Sequence, residues 1–327
     1  MSNIEVSIII VCMNNLNNLF PCLNSIKQHT HISYEILVVA YLFSEENLKQ
    51  LRKNYPWIRI IESNEIRGFS ENNNLALRQA KGKYCFVLND DTELKMPTID
   101  LLVKDIKKLP DEVAIVSPVT VYPNGKIQTC GRPPKRWNHY IMQALHLWNE
   151  NKGPYVNQKG LFQSYNIIGA AFLIKKEIFQ QQGWFDEKYF FCPEDIALST
   201  QLNKAGYKCY VDTNCKVIHY EGMSGKSLSL VQTATSPAAF RGSLIFYSDN
   251  NLYKEIILRS FFFFIFCFRF IIHRLQSFYK SRPNKEYVLS IGDYHCIRTC
   301  FTNKTPKEIF TKYYSLIKLS SNAHNRK

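Results

Sequence analysis

Two carboxylates stand side by side in the stretch Asn89-Asp90-Asp91, directly after the apolar and aromatic run 84–88. Adjacent carboxylates repel each other unless a cation or hydrogen-bond donors neutralise them. A divalent ion that bridges a diphosphate would neutralise them, since such ions prefer oxygen ligands. The alternative is a polar turn whose Asp and Thr side chains cap the following helix. The triplet alone leaves both interpretations open.

A second acidic pair, Glu194-Asp195, follows Pro193 and opens a predicted helix over 194–205 that Gly206 closes. Acidic residues favour the first turn of a helix for electrostatic reasons alone. The position of the pair can therefore be explained by helix structure alone.

The segments around the triplet alternate between strand and helix patterns. Strands are predicted over 5–12, 34–40, 57–62 and 84–88, and helices over 16–28, 44–54 and 68–81. This βαβαβαβ order predicts a right-handed, doubly wound, mostly parallel sheet. The triplet then lies at the carboxyl end of a buried strand, the edge where open α/β sheets bind ligands.

Neither of the common phosphate-binding loops is present. The first strand is not followed by Gly-x-Gly-x-x-Gly, and the chain has no Gly-x-x-x-x-Gly-Lys-Ser/Thr. A nucleotide-type sheet without these loops needs another way to hold phosphate, and a metal ion at Asp91 would supply one.

Later segments are predicted more coarsely. A helix is expected over 97–109, strands over 113–117, 166–174, 207–211 and 216–219, and a turn over 122–126. The stretch 131–163 is poorly periodic and rich in Pro and aromatic residues. It is predicted to be a loop-rich lid or acceptor-binding insertion, or else an ordinary variable insertion.

Composition limits the class of protein. The 327 residues are 46% hydrophobic and 21% charged, which excludes a disordered chain. Ten cysteines without a Cys-x-x-Cys pair predict reduced core thiols of a cytosolic protein. A first strand that begins by Val6, with no basic leader before it, predicts that there is no signal peptide.

The net charge of +14 is concentrated after residue 250, where 14 Lys/Arg stand against 4 Asp/Glu. Either nucleic acid or an anionic membrane could attract such a segment. It contains the run Phe261–Phe268, which is shorter than the roughly 20 residues that cross a bilayer. The run predicts an interfacial helix whose flanking cations Arg259, Arg269, His273 and Arg274 face headgroups. The alternative is a helix whose Phe side chains pack into the protein core.

In order and spacing, several short pieces resemble the inverting glycosyltransferases of family 2, with the GT-A fold, and within them the rhamnosyltransferase-like branch. The resemblance runs from about Val6 to Ser224. Its pieces are residues 6–11, Asn64, Gly68-Phe69, Asn73-Asn74, 82–84, 88–92, Gly169-Ala170, 183–187, Glu194-Asp195 and 219–224.

The resemblance implies a GT-A catalytic domain over 1–225, with a Rossmann-like, mostly parallel nucleotide-binding sheet and an acceptor-side subdomain. A basic, partly hydrophobic, membrane-associating helical extension follows over 226–327. It implies transfer of a sugar with inversion from a UDP- or dTDP-sugar to a glycan or lipid-linked acceptor, in cell-surface polysaccharide biosynthesis. The expected location is cytoplasmic, peripheral at the inner face of the membrane.

Roles for individual residues also follow from the resemblance. Asp91 is the expected ligand of Mg²⁺ or Mn²⁺, which would stabilise the leaving diphosphate, and His219 is either a metal or diphosphate contact or a buried strand-end histidine. Asp195, beside Glu194, is the expected general base toward the acceptor hydroxyl. Donor contacts are expected at Asn14, Tyr41, Gly68, Asn74, Asn89 and Asp90. Acceptor contacts are expected at Gly169, Ala170, Trp184 and Asp186.

The chain departs from the family pattern at several positions. Ala40-Tyr41 replaces the usual Asp-Asn, so the contact to the nucleobase is in doubt, with Tyr41 as a possible stacking partner. Met13, Ala76 and Ala197 are further departures. They leave a catalytically silent relative as a second hypothesis. A nucleic-acid-binding protein is a third, disfavoured because the charge lacks an interleaved base-stacking pattern.

Overall fold

The structure, a computed structural model, describes residues 4–149, 154–155, 157–220, 230–279 and 285–324, with side chains to residue 317. Ten strands in this part of the chain form one sheet. They are β1 Val6–Met13, β2 Tyr34–Tyr41, β3 Arg59–Ser63, β4 Tyr84–Asn89, β5 Thr92–Glu93, β6 Val113–Val121, β7 Ile127–Thr129, β8 Leu161–Ser164, β9 Ala171–Lys175 and β10 Lys208–His219. The helices are α1 Leu16–His29, α2 Glu45–Asn54, α3 Phe69–Leu77, α4 Thr98–Lys108, α5 Trp137–Ala144, α6 Lys176–Gln181, α7 Glu194–Lys204, α8 Gln232–Ser248, α9 Leu252–Phe278, α10 Lys285–Thr299 and α11 Pro306–His324.

The strand order is β3-β2-β1-β4-β9-β6-β10-β5, with β7 paired to β6 and β8 to β10. The first four strands in this order are mutually parallel. Strand β9 runs antiparallel to both β4 and β6, and β10 is parallel to β6. Strands β4, β6 and β10 therefore end at the same edge of the sheet, and β9 begins there.

The central strand β1 shows why this sequence forms a buried sheet. Its side chains alternate between two hydrophobic clusters, with Ile8 and Ile10 in one and Ile9 in the other, and all three are fully buried. A continuous run of β-branched residues suits a strand that is covered on both faces. This confirms the expectation for the first strand.

By its contacts the chain divides into two compact units. The first comprises residues 1–134, 149–186 and 194–224, within which the sheet lies. The second comprises 135–148, 187–193 and 225–327, with α5 and α8 to α11. Two segments that precede residue 225 thus pack with the C-terminal helices, an arrangement that the division at 225 did not include.

Several predicted elements need correction. Helix α3 ends at Leu77, not Lys81, and the strand expected over 166–174 is observed as Ala171–Lys175. The two short strands expected over 207–219 are one strand, β10, with an irregularity between Asp212 and Lys216. The stretch 131–163 is not simply a loop, because it contains α5 and the start of β8.

The thiols follow the expectation with one marked exception. All ten cysteines are free, and seven of them are buried. Burial raises the pKa of Cys85 and of Cys209 to about 12, as expected for inert core thiols. Cys192, in contrast, is exposed.

Helix α9 is longer than the apolar run Phe261–Phe268 suggested. It extends over 27 residues, with a mean hydropathy of 2.0 over an 18-residue window. By length and composition alone it is sufficient to cross a membrane, so the argument that the run is too short was wrong. Its Phe262 and Phe266 belong to a core cluster of the second unit, whereas Phe264 and Phe268 are exposed.

Candidate active site

The sheet brings three predicted site segments to one edge. Asn89 ends β4, Gly169-Ala170 immediately precedes β9, and His219 ends β10. A hydrogen bond of 2.9 Å from the Asn89 amide to the Ala170 carbonyl joins two of them. This edge is the one where ligands bind in open α/β sheets.

Asp91 and His219 are held together by backbone pairing. Thr92 in β5 pairs antiparallel with His219 in β10, and the Tyr220 amide donates to the Asp91 carbonyl at 3.0 Å. The Oδ1 atom of Asp91 then lies 3.4 Å from Nε2 of His219, and the Asp91 side chain is only 6% exposed. The turn itself is tightened by Thr92, whose hydroxyl donates to the Asn89 carbonyl at 2.7 Å.

Gln128 fixes the tautomer of His219. Its amide nitrogen donates to the His219 backbone carbonyl at 2.6 Å, and a carbonyl can only accept. The Gln128 amide oxygen is therefore the atom 3.0 Å from Nδ1, which must carry the hydrogen. The lone pair of Nε2 then faces the Asp91 carboxylate, an arrangement that calls for a proton or a cation between the two atoms.

This donor set fits a divalent ion. A carboxylate oxygen and an imidazole nitrogen are ordinary metal ligands, and a second residue that holds the far ring nitrogen is a common feature of metal sites. The residues present are thus compatible with Mg²⁺ or Mn²⁺, with Asp91 and His219 as the holding side chains.

Asp90 lies beside this pair and is 8% exposed. Burial, together with the charge of Asp91, raises the pKa of Asp90 to about 7, against a partial lowering by the Cys12 hydrogen bond. A buried acid with a raised pKa next to a second carboxylate is typical of functional sites.

Asp195 occupies the first turn of α7, where three donors hold its carboxylate. Its Oδ2 accepts from Arg132 Nη1 and from the Gly169 amide, both at 3.1 Å, and its Oδ1 accepts from the Ile196 amide at 2.7 Å. The side chain keeps 16% of its surface exposed. Glycine at position 169 allows this close approach, because a Cβ there would lie 3.2 Å from the Asp195 Cβ.

Asp195 and His219, the neighbour of Asp91, both line a cavity of about 420 Å³, whereas Asp90 and Asp91 are not part of its lining. Six predicted site residues line it, and so do seven others. The predicted ones are Asn89, Gly169, Ala170, Glu194, Asp195 and His219, and the others are Phe69, Thr120, Tyr122, Gln128, Thr129, Arg132 and Ile168.

The remaining predicted donor residues have structural partners. Asn14 accepts from the Ser44 amide and from the Asn47 side chain, and Gly68 precedes α3, where its amide donates to Glu71. Both side-chain atoms of Asn74 bond to the backbone of Phe185. These contacts join loops and helices of the first unit.

Tyr41 is 3% exposed, and its hydroxyl accepts from the Arg67 amide at 3.3 Å. Such burial leaves little of the ring for stacking on a base, so the structure does not support that role. Ala40 is fully buried in β2. The nucleobase contact stays unassigned.

Two predicted acceptor residues, Trp184 and Asp186, lie outside the lining of this cavity. The ring of Trp184 packs edge-on against Phe179 at 5.3 Å. Of the motif 219–224, residues 221–224 lie outside the described residues.

Sequence reasoning missed Arg132 and Gln128. Arg132 lies in the segment 131–163 that was predicted to be irregular, and Gln128 lies just before it. Their partners, Asp195 and His219, are 63 and 91 residues further along the chain. The only signal was their place after the turn 122–126, which does not indicate a partner.

Comparison with solved structures identifies the architecture. The crystal structure of GalNAc-T7 with UDP, GalNAc and Mn²⁺ matches with a TM-score of 0.54 and 19% identity, over 70% of this chain and 47% of that one. The chain has the GT-A fold.

The sequence model of Glycosyl transferase family 2 matches residues 7–183, more than half of the chain, and the chain belongs to this family. O-antigen biosynthesis protein RfbC of Myxococcus xanthus is 27% identical over 161 residues, which are 47% of this chain and 12% of that protein. N-acetylglucosaminyl-diphospho-decaprenol L-rhamnosyltransferase of Mycobacterium tuberculosis (strain ATCC 25618 / H37Rv) is 24% identical over 224 residues, 61% of this chain and 69% of that protein. RfbC is thus matched over a small part of its length. These relatives support the rhamnosyltransferase-like branch.

Proposed function

We propose that this protein transfers a sugar with inversion from a nucleoside-diphosphate donor to a hydroxyl of a glycan or lipid-linked saccharide. The pathway we propose is cell-surface polysaccharide biosynthesis, which the names of two relatives support, an O-antigen biosynthesis protein and a diphospho-decaprenol rhamnosyltransferase. The observation that carries the proposal is that one cavity has His219, paired with Asp91, and Asp195 on its lining.

On the donor side, Asp91 and His219 would hold a divalent ion, which when bound neutralises charge on the leaving diphosphate. Gln128 orients His219, and Asn89 lies on the cavity wall.

On the acceptor side, Asp195 would take the proton of the attacking hydroxyl. Arg132 and the Gly169 amide hold one carboxylate oxygen and thereby fix the direction of the carboxylate. Inversion by direct displacement requires one such base on the face opposite the leaving group. Phe69, Thr120 and Tyr122 supply the apolar and hydroxyl surface of the same cavity.

The test is release of nucleoside diphosphate by the purified full chain from a panel of UDP-, dTDP- and GDP-sugars with Mg²⁺ or Mn²⁺. NMR of the product then gives the anomeric configuration. Asp195→Asn should retain donor binding and lose transfer by about 10²–10⁴-fold. Loss of donor affinity with little change in turnover would place the base elsewhere. A chain that binds no donor in this panel would support the catalytically silent relative.

We further propose that the protein works at the cytoplasmic face of the membrane, in contact with it through α9. From Phe264 onward, five apolar residues of α9 are more than half exposed and recur every three or four positions, which places them on one side of the helix. They are Phe264, Phe268, Ile271, Leu275 and Phe278, and we call them the apolar stripe.

The four flanking basic residues of α9 have partners within the second unit. Arg259 bonds to Glu255 and to the backbone carbonyls of Cys300 and Thr302, while Arg269 and His273 contact the Asp293 carboxylate. The guanidinium of Arg274 lies 5.4 and 5.1 Å from the ring centroids of Phe270 and Tyr287. The stripe, rather than these flanking cations, is therefore the part of α9 that we expect at the membrane. This changes the electrostatic contact expected from the sequence.

A further inference from the structure

A second cavity, of about 380 Å³, lies in the second unit at the connection between α10 and α11. It takes no part in the chemistry proposed above. Its lining consists of Arg298, Thr299, Phe301, Thr302, Lys304, Ile309, Lys312 and Tyr313, and we call it the basic cavity.

The basic cavity has three cations and, among the described residues that line it, no acid. Arg298, Lys304 and Lys312 form no ion pair with any residue that the structure describes. Nη1 of Arg298 donates to the Tyr294 hydroxyl at 3.3 Å, and its guanidinium lies 6.0 Å from the centroid of the same ring. The nearest acid along the chain is Glu308, whose Oε2 accepts from the amide and hydroxyl of Thr305. These hydrogen bonds, with a smaller contribution from the charge of Lys304, lower the pKa of Glu308, which therefore offsets part of the charge of one of the three cations.

The electrostatic effect of these cations reaches a neighbouring group. The pKa of His295 is lowered, chiefly by burial but also by the charges of Lys312 and Arg298. The ring of His295 stacks on Tyr313, a cavity residue, at 3.7 Å between centroids. The cavity is therefore a region of positive potential that an anion would neutralise.

The cavity has a buried floor and an apolar rim. Thr299, Ile309 and Tyr313 are at most 5% exposed, whereas the Phe301 ring at the rim is 75% exposed. Phe301 contacts the ring of Phe263 in α9 at 5.3 Å between centroids. The next residue of α9, Phe264, begins the apolar stripe, so cationic and apolar surfaces adjoin on this unit.

We propose that the basic cavity binds the phosphate group of a membrane lipid headgroup. Lys and Arg are the side chains that bind phosphate, and the planar guanidinium of Arg298 can donate two parallel hydrogen bonds to it. Phe301 and the apolar stripe then contact the acyl region beside the headgroup. A soluble phosphate ligand would use the same cations but would gain nothing from an exposed Phe ring and an apolar stripe.

This inference rests on the proposed membrane contact of α9 and gives it headgroup selectivity. The test is flotation of the full-length protein with phosphatidylcholine vesicles that contain phosphatidic acid, compared with phosphatidylserine vesicles of matched surface potential. The cavity variant is Arg298→Gln/Lys304→Gln/Lys312→Gln. The matched control, Lys49→Gln/Lys53→Gln/Lys108→Gln, removes the same charge from exposed positions of the first unit.

We expect wild type and control to prefer phosphatidic acid, and the cavity variant to lose this preference with binding weakened on the order of 100-fold, at about fivefold per cation. Residual binding through the stripe and unchanged donor hydrolysis would show that membrane contact and active site are intact. Equal behaviour of cavity variant and control would overturn the proposal. Calorimetric binding of inorganic diphosphate that depends on the cavity, without headgroup preference, would overturn the lipid assignment in favour of a soluble ligand.

Discussion

Asp91 differs from the other acids of the site in that its Oδ1 atom lies 3.4 Å from the imidazole nitrogen Nε2 of His219. Asp91→Asn should abolish transfer and weaken donor binding, because the ion loses its anionic ligand. The fold should persist, since the amide has the same shape and the β5–β10 pairing uses backbone atoms. Donor binding is measured by thermal shift with UDP or dTDP and Mn²⁺.

The control for Asp91 is Asp111→Asn, at an exposed acid that pairs only loosely with Lys175. That variant should behave as wild type. Undiminished turnover of the wild type in EDTA, or of the Asp91 variant, would contradict the assignment of a metal site.

Gly169 offers a way to move the Asp195 carboxylate without changing its chemistry. In Gly169→Ala the new methyl group meets the Asp195 Cβ at 3.2 Å, tighter than an ordinary contact, so the carboxylate must shift. We expect kcat to fall by at least tenfold while KM for the donor stays within about twofold, since misplacement by a fraction of an ångström is costly in catalysis.

Gly292→Ala is a matched control, because the nearest atom to its Cβ lies at 4.0 Å. In steady-state kinetics, Gly169→Ala should differ from the wild type and Gly292→Ala should not. If donor KM rises and kcat does not change, Gly169 contacts the donor and Asp195 is not being displaced.

At this scale the sequence was informative where chemistry coincides with a strand end. Asn89 to Asp91 could be placed because a buried run stops abruptly, and parallel strands end at the same edge. Arg132 and Gln128 could not be placed, because each is defined by a partner far along the chain. Asn74 was assigned to the donor, although its amide holds the backbone of Phe185.

Among the elements, α4 and β10 bring together an unexpected pair of acids. Asp105 of α4 faces Asp212 of β10, and Cys215 donates to Asp212 Oδ2 at 3.2 Å. Burial, with a further contribution from the charge of Asp212, raises the pKa of Asp105 to about 6 from 3.8. Asp105 lies on a segment predicted to be a helix and Asp212 lies between two predicted strands, and neither pattern indicated that the two acids would meet.

The raised pKa has a defined effect on stability. Because the folded state binds this proton more tightly than the unfolded state, the contribution of Asp105 to stability is highest below about pH 4 and falls as the pH rises through about 6. Asp105→Asn removes this penalty. At pH 7.5 we expect the free energy of unfolding to increase by roughly 1 kcal/mol, with the shift discounted for partial solvent exposure.

Urea denaturation of wild type and Asp105→Asn at pH 4.5, 6 and 7.5, in EDTA, measures this effect. The two proteins should differ least at pH 4.5 and most at 7.5. A variant that is less stable than wild type at pH 7.5 would contradict the prediction, since it would mean that the charged carboxylate is stabilising.

Helices and strands could be predicted where the local sequence pattern determines them, and less well where packing against a distant element does. The helix predicted over 44–54 is observed as α2, and the Ser44 hydroxyl caps it by accepting from the Asn47 amide at 3.2 Å. Helix α5 was missed because its residues are only partly buried, and its aromatic rings pack on helices that are distant in the sequence. Strand β10 was divided in two because its polar bulge resembles a turn.

For the whole molecule, the organisation of the second unit decides how its membrane contact can be tested. The ring of Tyr140 in α5 stacks on Tyr247 at 4.4 Å, and Phe190 lies 4.8 Å from Phe310. Phe190 is 1% exposed. Truncation at residue 250 removes Phe310 and all of α9, and each bared large apolar side chain costs about 1.5–3 kcal/mol of burial. We therefore expect the truncated chain to aggregate whether or not α9 contacts a membrane.

Substitution of the exposed stripe in the full chain is the sharper test. Phe264, Phe268 and Ile271 are 69%, 65% and 55% exposed, so Phe264→Ser/Phe268→Ser/Ile271→Ser should change the melting temperature by only a few degrees. Its flotation with vesicles should fall at least tenfold, because the apolar area that enters the bilayer is lost. Phe262→Ser, at a residue 4% exposed in the core of the same unit, should instead lower the melting temperature sharply. A stripe variant that floats as well as wild type would refute membrane contact through this face of α9, and the exposed residues would then need a protein partner.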